Sequence, residues 1–426
     1  MPGHKGKNLL GFEKFDLTEI DGADCLYHAD GIIKESQLNA GKLFGCHTFY
    51  STEGSSLCIR AMLYLALKLS AEKSARPYVL ATRNVHKSFV SALGLLDLDV
   101  EWLYPKNDAS YLSCPITPND LRDFLSKAKT LPIALFITSP DYLGNTLDIS
   151  AISKVCKEFN LLCLVDNAHG AYLKFLEPSI HPIDLGADMC CDSAHKTLPA
   201  LTGAGYLHIS HSAPSFLVEY AKKALSLFAS TSPSYLILQS LDMTNKYLAN
   251  GYKDKLNKFI DKIDQLKRSL TNAGYVLRGN EKLKLTIDAK SYGYLASEIN
   301  KILNANGFFV EFYDDDYIVM MFTLETDIKC INKLQKVLLS IPKKTKIDTI
   351  SPSLKQPSVA TSVKKALTSK TEIVSVDNAK GRIFADLSVS CPPAIPIAVC
   401  GEILDDNAIE MLKYYKITHC EVIKQD

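Results

Sequence analysis

The chain has 426 residues, more than one hydrophobic core usually serves, and 47% of them are apolar, enough to fill two or three domains. Its 48 Lys and Arg nearly cancel its 47 Asp and Glu and no long basic block stands out, so nothing in the charge points to nucleic acid or an anionic membrane, and small molecules and copies of the chain are the expected partners. Twelve scattered cysteines without a C-x-x-C fit a reducing cytosol, and neither a run of roughly 18 apolar residues nor a charged-then-apolar leader is present, so a cytoplasmic protein is expected.

Between about residues 45 and 210, short apolar and β-branched runs alternate with helical periodicities. Tyr78 to Ala81, Ile133 to Thr138, Leu161 to Val165, Met189 to Asp192 (with Cys190-Cys191 inside it) and Gly205 to Ile209 read as strands. Strand, helix, strand repetition builds a mainly parallel sheet covered on both faces, an α/β domain that gathers ligands at the carboxyl ends of its strands. From Ser215 the pattern is helical, through Tyr235 to Leu248 and again from Leu256 to Leu270. Lys284 to Ile287, Phe308 to Phe312 and Tyr317 to Phe322 predict strands of a small α+β domain. Ile341 to about Lys370, rich in Lys, Ser, Thr and Pro, predicts a linker with one short helix. Thr371 to Val376, Arg382 to Val389 and Ile395 to Val399 predict strands of a last unit. The expected domains are 1–250, 251–345 and 371–426, with 346–370 as linker, and no internal repeat is evident.

Several motifs fall at the expected strand ends. Gly54-Ser55-Ser56 precedes a helical run and has the form of an anion cradle, with backbone amides at a helix N-terminus and two hydroxyls; an ordinary N-cap is the plain alternative. His86, in Arg83-Asn84-Val85-His86-Lys87-Ser88, opens a helix after a strand, where an imidazole can stack on a bound ring; a solvated histidine is the alternative. Asp166 closes Leu161-Leu162-Cys163-Leu164-Val165, and thirty residues later Lys196 closes Asp192-Ser193-Ala194-His195-Lys196; a helix N-cap and an ordinary surface lysine are the plain alternatives. Strand ends of this kind hold pyridoxal phosphate in a large class of enzymes. The lysine carries the aldehyde as a Schiff base, and the carboxylate keeps the pyridine nitrogen protonated, because an adjacent opposite charge favours the charged form. Ala168 is small enough to lie under the ring, His169 is a candidate to reach a substrate carboxylate or the ring oxygen, with a histidine packed at a strand end as the alternative, and Ser193 adds a phosphate hydroxyl.

Together these pieces resemble the Orn/Lys/Arg decarboxylase family of fold type I pyridoxal-phosphate enzymes, whose large domain is aspartate aminotransferase-like, and especially its shorter Gram-positive arginine and lysine decarboxylases. The likeness runs from Pro2-Gly3-His4-Lys5-Gly6 and Asp16-Leu17-Thr18-Glu19 through Gly31-Ile32-Ile33-Lys34, the Arg83 to Ser88 box, Asp166 to Gly170 and Gly186-Ala187-Asp188. It continues in Ser230-Thr231-Ser232-Pro233-Ser234-Tyr235, Gly381-Arg382-Ile383 and Pro392-Pro393-Ala394-Ile395-Pro396, ending at Gly401-Glu402. The resemblance implies that Lys196 binds pyridoxal 5'-phosphate, Asp166 pairs with its ring nitrogen and His86 stacks on it. Ser55, Ser56 and Ser193 then hold the phosphate. It further implies that Thr231 and Ser232 reach the phosphate of a neighbouring subunit, which makes a homodimer or higher homo-oligomer with shared sites necessary for activity. Glu402 becomes a candidate for the distal amine or guanidinium of the substrate.

Three departures from the family pattern bear on the substrate. The sequence starts at Pro-Gly-His-Lys where relatives have a further N-terminal segment, so either the start is misassigned or a piece of the interface is absent. Asn167 stands where many relatives carry an acidic or hydroxyl residue. Gly203 replaces a usual Gln, and Pro392-Pro393-Ala394 replaces Pro-Pro-Gly. The expected reaction is decarboxylation of a small basic amino acid (arginine, lysine or ornithine), a step of polyamine biosynthesis. Lys196 or His195 is the acid that reprotonates Cα, and Glu402, Glu311 and Asp314 are the candidate distal carboxylates. No metal is expected. The alternatives are another fold type I activity, an aminotransferase or β-eliminating lyase, and a catalytically silent homologue that binds an amino acid or polyamine.

Overall fold

The computed structural model describes residues 2–71, 76–105, 110–349, 351–387 and 393–425. Its largest sheet has seven strands, β1 (His47–Ser51), β2 (Tyr78–Thr82), β3 (Asp99–Leu103), β4 (Ala134–Thr138), β5 (Leu162–Asp166), β6 (Met189–Asp192) and β7 (Gly205–Ile209), in the order β1-β7-β6-β5-β4-β2-β3. β4, β5 and β6 run parallel, and β7 runs antiparallel to β6 and β1. The five expected strands all form, each within a residue or so of its expected bounds. Residues of β6 and β7 are buried throughout, as the near-continuous apolar character of a sheet covered on both faces requires.

Contacts divide the chain into two units. The first comprises Met1–Leu80, Thr117–Ser139 and Asp148–Leu256, and the second Ala81–Ile116, Pro140–Leu147 and Asn257–Asp426. In the first, α1 (Ile32–Phe44) ends on left-handed Gly45, α2 (Gly54–Leu69) follows β1, and α7 (Ser215–Phe228) and α8 (Tyr235–Ala249) come after β7. Between β6 and β7 lies a single turn, α6 (Ala194–Thr197). α4 (Pro118–Lys127) and α5 (Ile149–Glu158) also belong to the first unit, and α3 (Lys87–Leu96) to the second. Phe44 is fully buried beneath the sheet, its ring 5.5 Å from that of Phe175, 5.3 Å from Tyr206 and 4.4 Å from His208.

The second unit holds a four-stranded antiparallel sheet of β8 (Val276–Arg278), β9 (Lys284–Asp288), β10 (Phe312–Tyr313) and β11 (Tyr317–Met321), ordered β10-β11-β9-β8, and a two-stranded sheet of β12 (Thr371–Ser375) and β13 (His419–Ile423). Helices α9 (Tyr252–Asn272), α10 (Ala289–Tyr292), α11 (Ala296–Ala305), α12 (Ile328–Leu339), α13 (Val363–Thr368) and α14 (Asp406–Tyr414) complete the order. Val319, Phe384, Ile397, Leu404, Met411 and Val422 share one buried cluster there.

Three strand expectations and one linker expectation are corrected. Of Phe308 to Phe312 only Phe312 enters a strand, and Phe309 is left 87% exposed. Arg382 to Val389 yields no strand among the described residues, only isolated bridges from Ile383 to Ile403 and Phe384 to Val422; residues 388–392 lie outside the description. Ile395 to Val399 is buried yet unpaired, because the carbonyls of Pro396 and Ile397 accept from the guanidinium of Arg83 instead of from a strand. The stretch expected to be a linker is packed: Ala360 N–H donates to Gly401 O at 2.8 Å, and Leu367 lies where a Cβ on Gly94 of α3 would meet it at 2.6 Å. Truncation of a fully buried aromatic leaves a cavity, so Phe44→Ala is expected to lower stability by about 3–5 kcal/mol, read as a shift of the urea unfolding midpoint.

Candidate active site

The site in the first unit is built on adjacent ends of parallel strands. Asp166 pairs in register with Cys191, so the residues following β5 and β6 emerge side by side. Asp166 is 3% exposed, and its Oδ1 accepts from the Ala168 amide at 3.1 Å and the Cys191 thiol at 3.6 Å. Burial pushes its carboxyl up, while the Ala168 amide and the charge of Lys196 oppose that shift. On the other strand end, Ser193 directly precedes α6, the turn that carries His195 and Lys196. Lys196 Nζ lies 2.8 Å from His169 Nε2.

The anion cradle stands beside it. Ser193 Oγ donates to Ser55 Oγ at 2.9 Å, which ties the lysine-bearing turn to the first turn of α2, where Ser56 also lies. Gly54 has φ +66°, its amide donates to Gly203 O at 2.7 Å, and a Cβ on Gly205 would come within 2.9 Å of the Gly54 carbonyl carbon. Glycine is required at Gly205 by this close backbone approach, and at Gly54 by its left-handed conformation. The open N-terminus of a sixteen-residue helix with two hydroxyls against it suits a dianion. His195 Nδ1 is 2.8 Å from Ala204 O, and burial holds its imidazole below the usual range, with the Ala204 carbonyl opposing. Lys196 thus has His169 as a hydrogen-bond partner, whereas His195 Nδ1 is engaged by the backbone.

The other candidates have the following surroundings within their own units. Thr231 and Ser232 are exposed between α7 and α8, where Ser232 N–H donates to Ser230 Oγ. His86, in the second unit, caps α3 by accepting from Ser88 N–H at 3.2 Å. In the same unit Glu402 is 2% exposed, with Oε2 3.3 Å from Arg83 Nη2 and 2.7 Å from the Val399 amide; burial pushes its carboxyl up and Arg83 opposes this. Glu311 is exposed and accepts from Tyr142 Oη at 3.2 Å. Asp314 accepts from the amides of Asp316 and Tyr317 at 2.7 Å each, and burial raises its carboxyl to about 7.

The Orn/Lys/Arg decarboxylase major-domain model matches residues 4–287, and the C-terminal-domain model matches residues 349–424. The chain belongs to the Orn/Lys/Arg decarboxylase family. A protein of Bacillus subtilis named only YaaO is 30% identical over 93% of this chain and 84% of its own length. The arginine decarboxylase of Bacillus anthracis is 28% identical over 97% and 88%. Lysine decarboxylase A from Pseudomonas aeruginosa superposes with a TM-score of 0.80 at 17% identity, covering 100% of this chain and 78% of the other; the Francisella novicida lysine decarboxylase LdcF gives 0.78 at 16%, with the same coverage. The fold is therefore fold type I, the protein is a pyridoxal-phosphate-dependent amino acid decarboxylase, and its residues fit that cofactor. An amine, a buried carboxylate and a glycine-opened helix N-terminus meet within one unit.

Two features escaped the sequence reading. Arg83 carries no role in the sequence pattern, yet it is 1% exposed and pairs with Glu402. His208, a polar residue inside an apolar strand, signalled a buried partner, which is Asp192. Because losing one member of a buried pair strands the other charge, Glu402→Ala is expected to lower stability by about 3–5 kcal/mol, with Glu402→Gln costing less; urea unfolding reads both.

Proposed function

We propose that this chain releases CO2 from a basic amino acid, arginine or lysine ahead of ornithine, giving the corresponding amine. The reading is supported above all by likeness to arginine decarboxylases along 97% of the chain, joined to the Asp166, His169 and Lys196 constellation. In it, Lys196 would hold the cofactor aldehyde, Asp166 the ring nitrogen, and Ser55, Ser56, Ser193 and the α2 N-terminus the phosphate. Bound pyridoxal phosphate supplies an electron sink for the carbanion that CO2 loss leaves behind.

The chain's own groups do the rest. An ionised Asp166 keeps a proton on the ring nitrogen. Lys196 Nζ and His169 Nε2, 2.8 Å apart, form a proton-sharing pair suited to return a proton to Cα. His195 fits this role less well, since Nδ1 is engaged by Ala204 O and burial disfavours its charged form. Glu402 as distal recognition residue requires its Oε1, a buried oxygen with no hydrogen-bond partner among the described residues. The same reading takes the enzyme to be a cytoplasmic homodimer serving polyamine synthesis, with Thr231 and Ser232 completing the neighbour's site. Among the described residues no helix is long and apolar enough to cross a membrane.

The test is a single turnover of the cofactor-loaded protein with carboxyl-labelled arginine, lysine and ornithine. Stoichiometric labelled CO2 from one of them, abolished by Lys196→Ala and slowed at least about 100-fold by His169→Ala, is expected. A keto acid without CO2 would reassign the reaction to transamination.

A further inference from the structure

Directly beneath the strand ends lies a fully enclosed polar cluster that the proposed chemistry does not use. Asp192, His181, His208 and Asn167 are all 0% exposed. Asn167 Nδ2 donates to Asp192 Oδ1 at 2.6 Å, and the Nε2 atoms of His181 and His208 lie 3.1 Å and 3.2 Å from Asp192 Oδ2. On its far side His208 Nδ1 is 2.9 Å from Thr48 Oγ1 and 3.4 Å from Cys46 Sγ, both able to accept. Asn167 directly follows Asp166, and Asp192 directly precedes Ser193 on the lysine-bearing turn.

We propose that Asp192, paired with the imidazolium of His208, is the positioning residue of the cofactor floor. Through Asn167 it locks the ends of β5 and β6 together, and it sets a second negative charge behind Asp166. The proposal rests on the cofactor assignment but not on which amino acid is decarboxylated.

Geometry supports each part. The Asn167 amide also donates to Cys191 O at 3.0 Å, so β5 and β6 are joined beyond their ladder by both main chain and side chain. The room is tight, since a Cβ on Gly170 would fall 2.0 Å from Asn167 Oδ1. A carboxylate shut away from water is stable only when paired and hydrogen-bonded, and Asp192 receives three donors. Despite burial, which acts the other way, the two imidazoles hold the Asp192 carboxyl well below its usual range. Against burial again, Cys46 and Asp192 raise the His208 imidazole, which favours its charged form. Asp192 is in turn one of the charges that raise Asp166, and the same negative charge favours a cation, such as a protonated ring nitrogen, beside that carboxylate. The other titratable groups facing the cluster are Cys46 just before β1, Cys58 from α2, Cys190 and Cys191 from β6 and Tyr206 from β7; burial pushes Cys58, Cys190, Cys191 and Tyr206 up, so those four are uncharged at neutral pH.

The pH window follows from the signs. A depressed Asp192 stabilises the fold above the ordinary carboxylate range, and that contribution is lost on acidification. A raised His208 stabilises it below the ordinary imidazole range, and that contribution is lost as pH climbs through the raised value. The pair therefore contributes most between the two, in mildly acidic to neutral solution.

The experiment begins with 15N-histidine NMR of the wild-type, cofactor-free protein, which needs no variant to fold. It should show a His208 imidazolium that persists at pH 7, assigned by the through-space contacts of its ring to Thr48 and Phe44. Asp192→Asn should then weaken pyridoxal phosphate binding about 10-fold and lower kcat about 10-fold, with KM for the amino acid unchanged. A neutral His208 at pH 7, or an Asp192→Asn protein that is less stable yet retains cofactor affinity and kcat, would overturn the proposal. So would stoichiometric zinc in the purified protein, because His181, Cys190 and Asp192 bring ligand atoms within 4.8 Å of one another.

Discussion

The architecture of the first unit depends on one register: Asp166 opposite Cys191 in a parallel pair of strands. Parallel strands deliver their carboxyl ends to the same edge of the sheet, so a carboxylate that ends one and a lysine four residues past the end of the other must meet there. A shift of one residue would send Asp166 to the opposite face and separate the two groups. The register is held by apolar side chains on both faces, by the Asn167 amide on Cys191 O and by the Asn167 side chain on Asp192.

That dependence explains why chemistry and stability are entangled in this unit. Asp166 and Asp192 are both buried, and each alone would be expensive to enclose. The protein answers with different partners. Asp166 receives an amide, a thiol and the field of Lys196, and so stays responsive to a cationic ring nitrogen. Asp192 receives three donors, two of them imidazoles, and so stays ionised regardless of what binds above it. The second unit repeats the logic with Arg83 and Glu402, where a buried cation also takes up the carbonyls of an unpaired segment.

What the sequence made legible was whatever local pattern determines. Apolar runs located β2, β4, β5, β6 and β7 because a strand buried on both faces has no other composition, and Asp166, Ser193 and Lys196 were visible as polar residues at their ends. Ile395 to Val399 misled for the same reason: an apolar run records burial, and only Arg83, more than 300 residues away, decides that its carbonyls do not pair with a strand. Likewise the contact between Lys196 and His169 depends on how two turns pack, which spacing along the chain does not encode. The grouping of residues 81–116 with the C-terminal unit was hidden because it rests on contacts distant in sequence, such as Gly94 with Leu367.

The central claim is that Lys196 is the residue that carries the cofactor. Borohydride reduction of the loaded protein, followed by peptide mapping, tests it directly. The account predicts a phosphopyridoxyl group on Lys196 and on no other lysine. A label on a different lysine, or reduction that leaves every lysine unmodified, would contradict it.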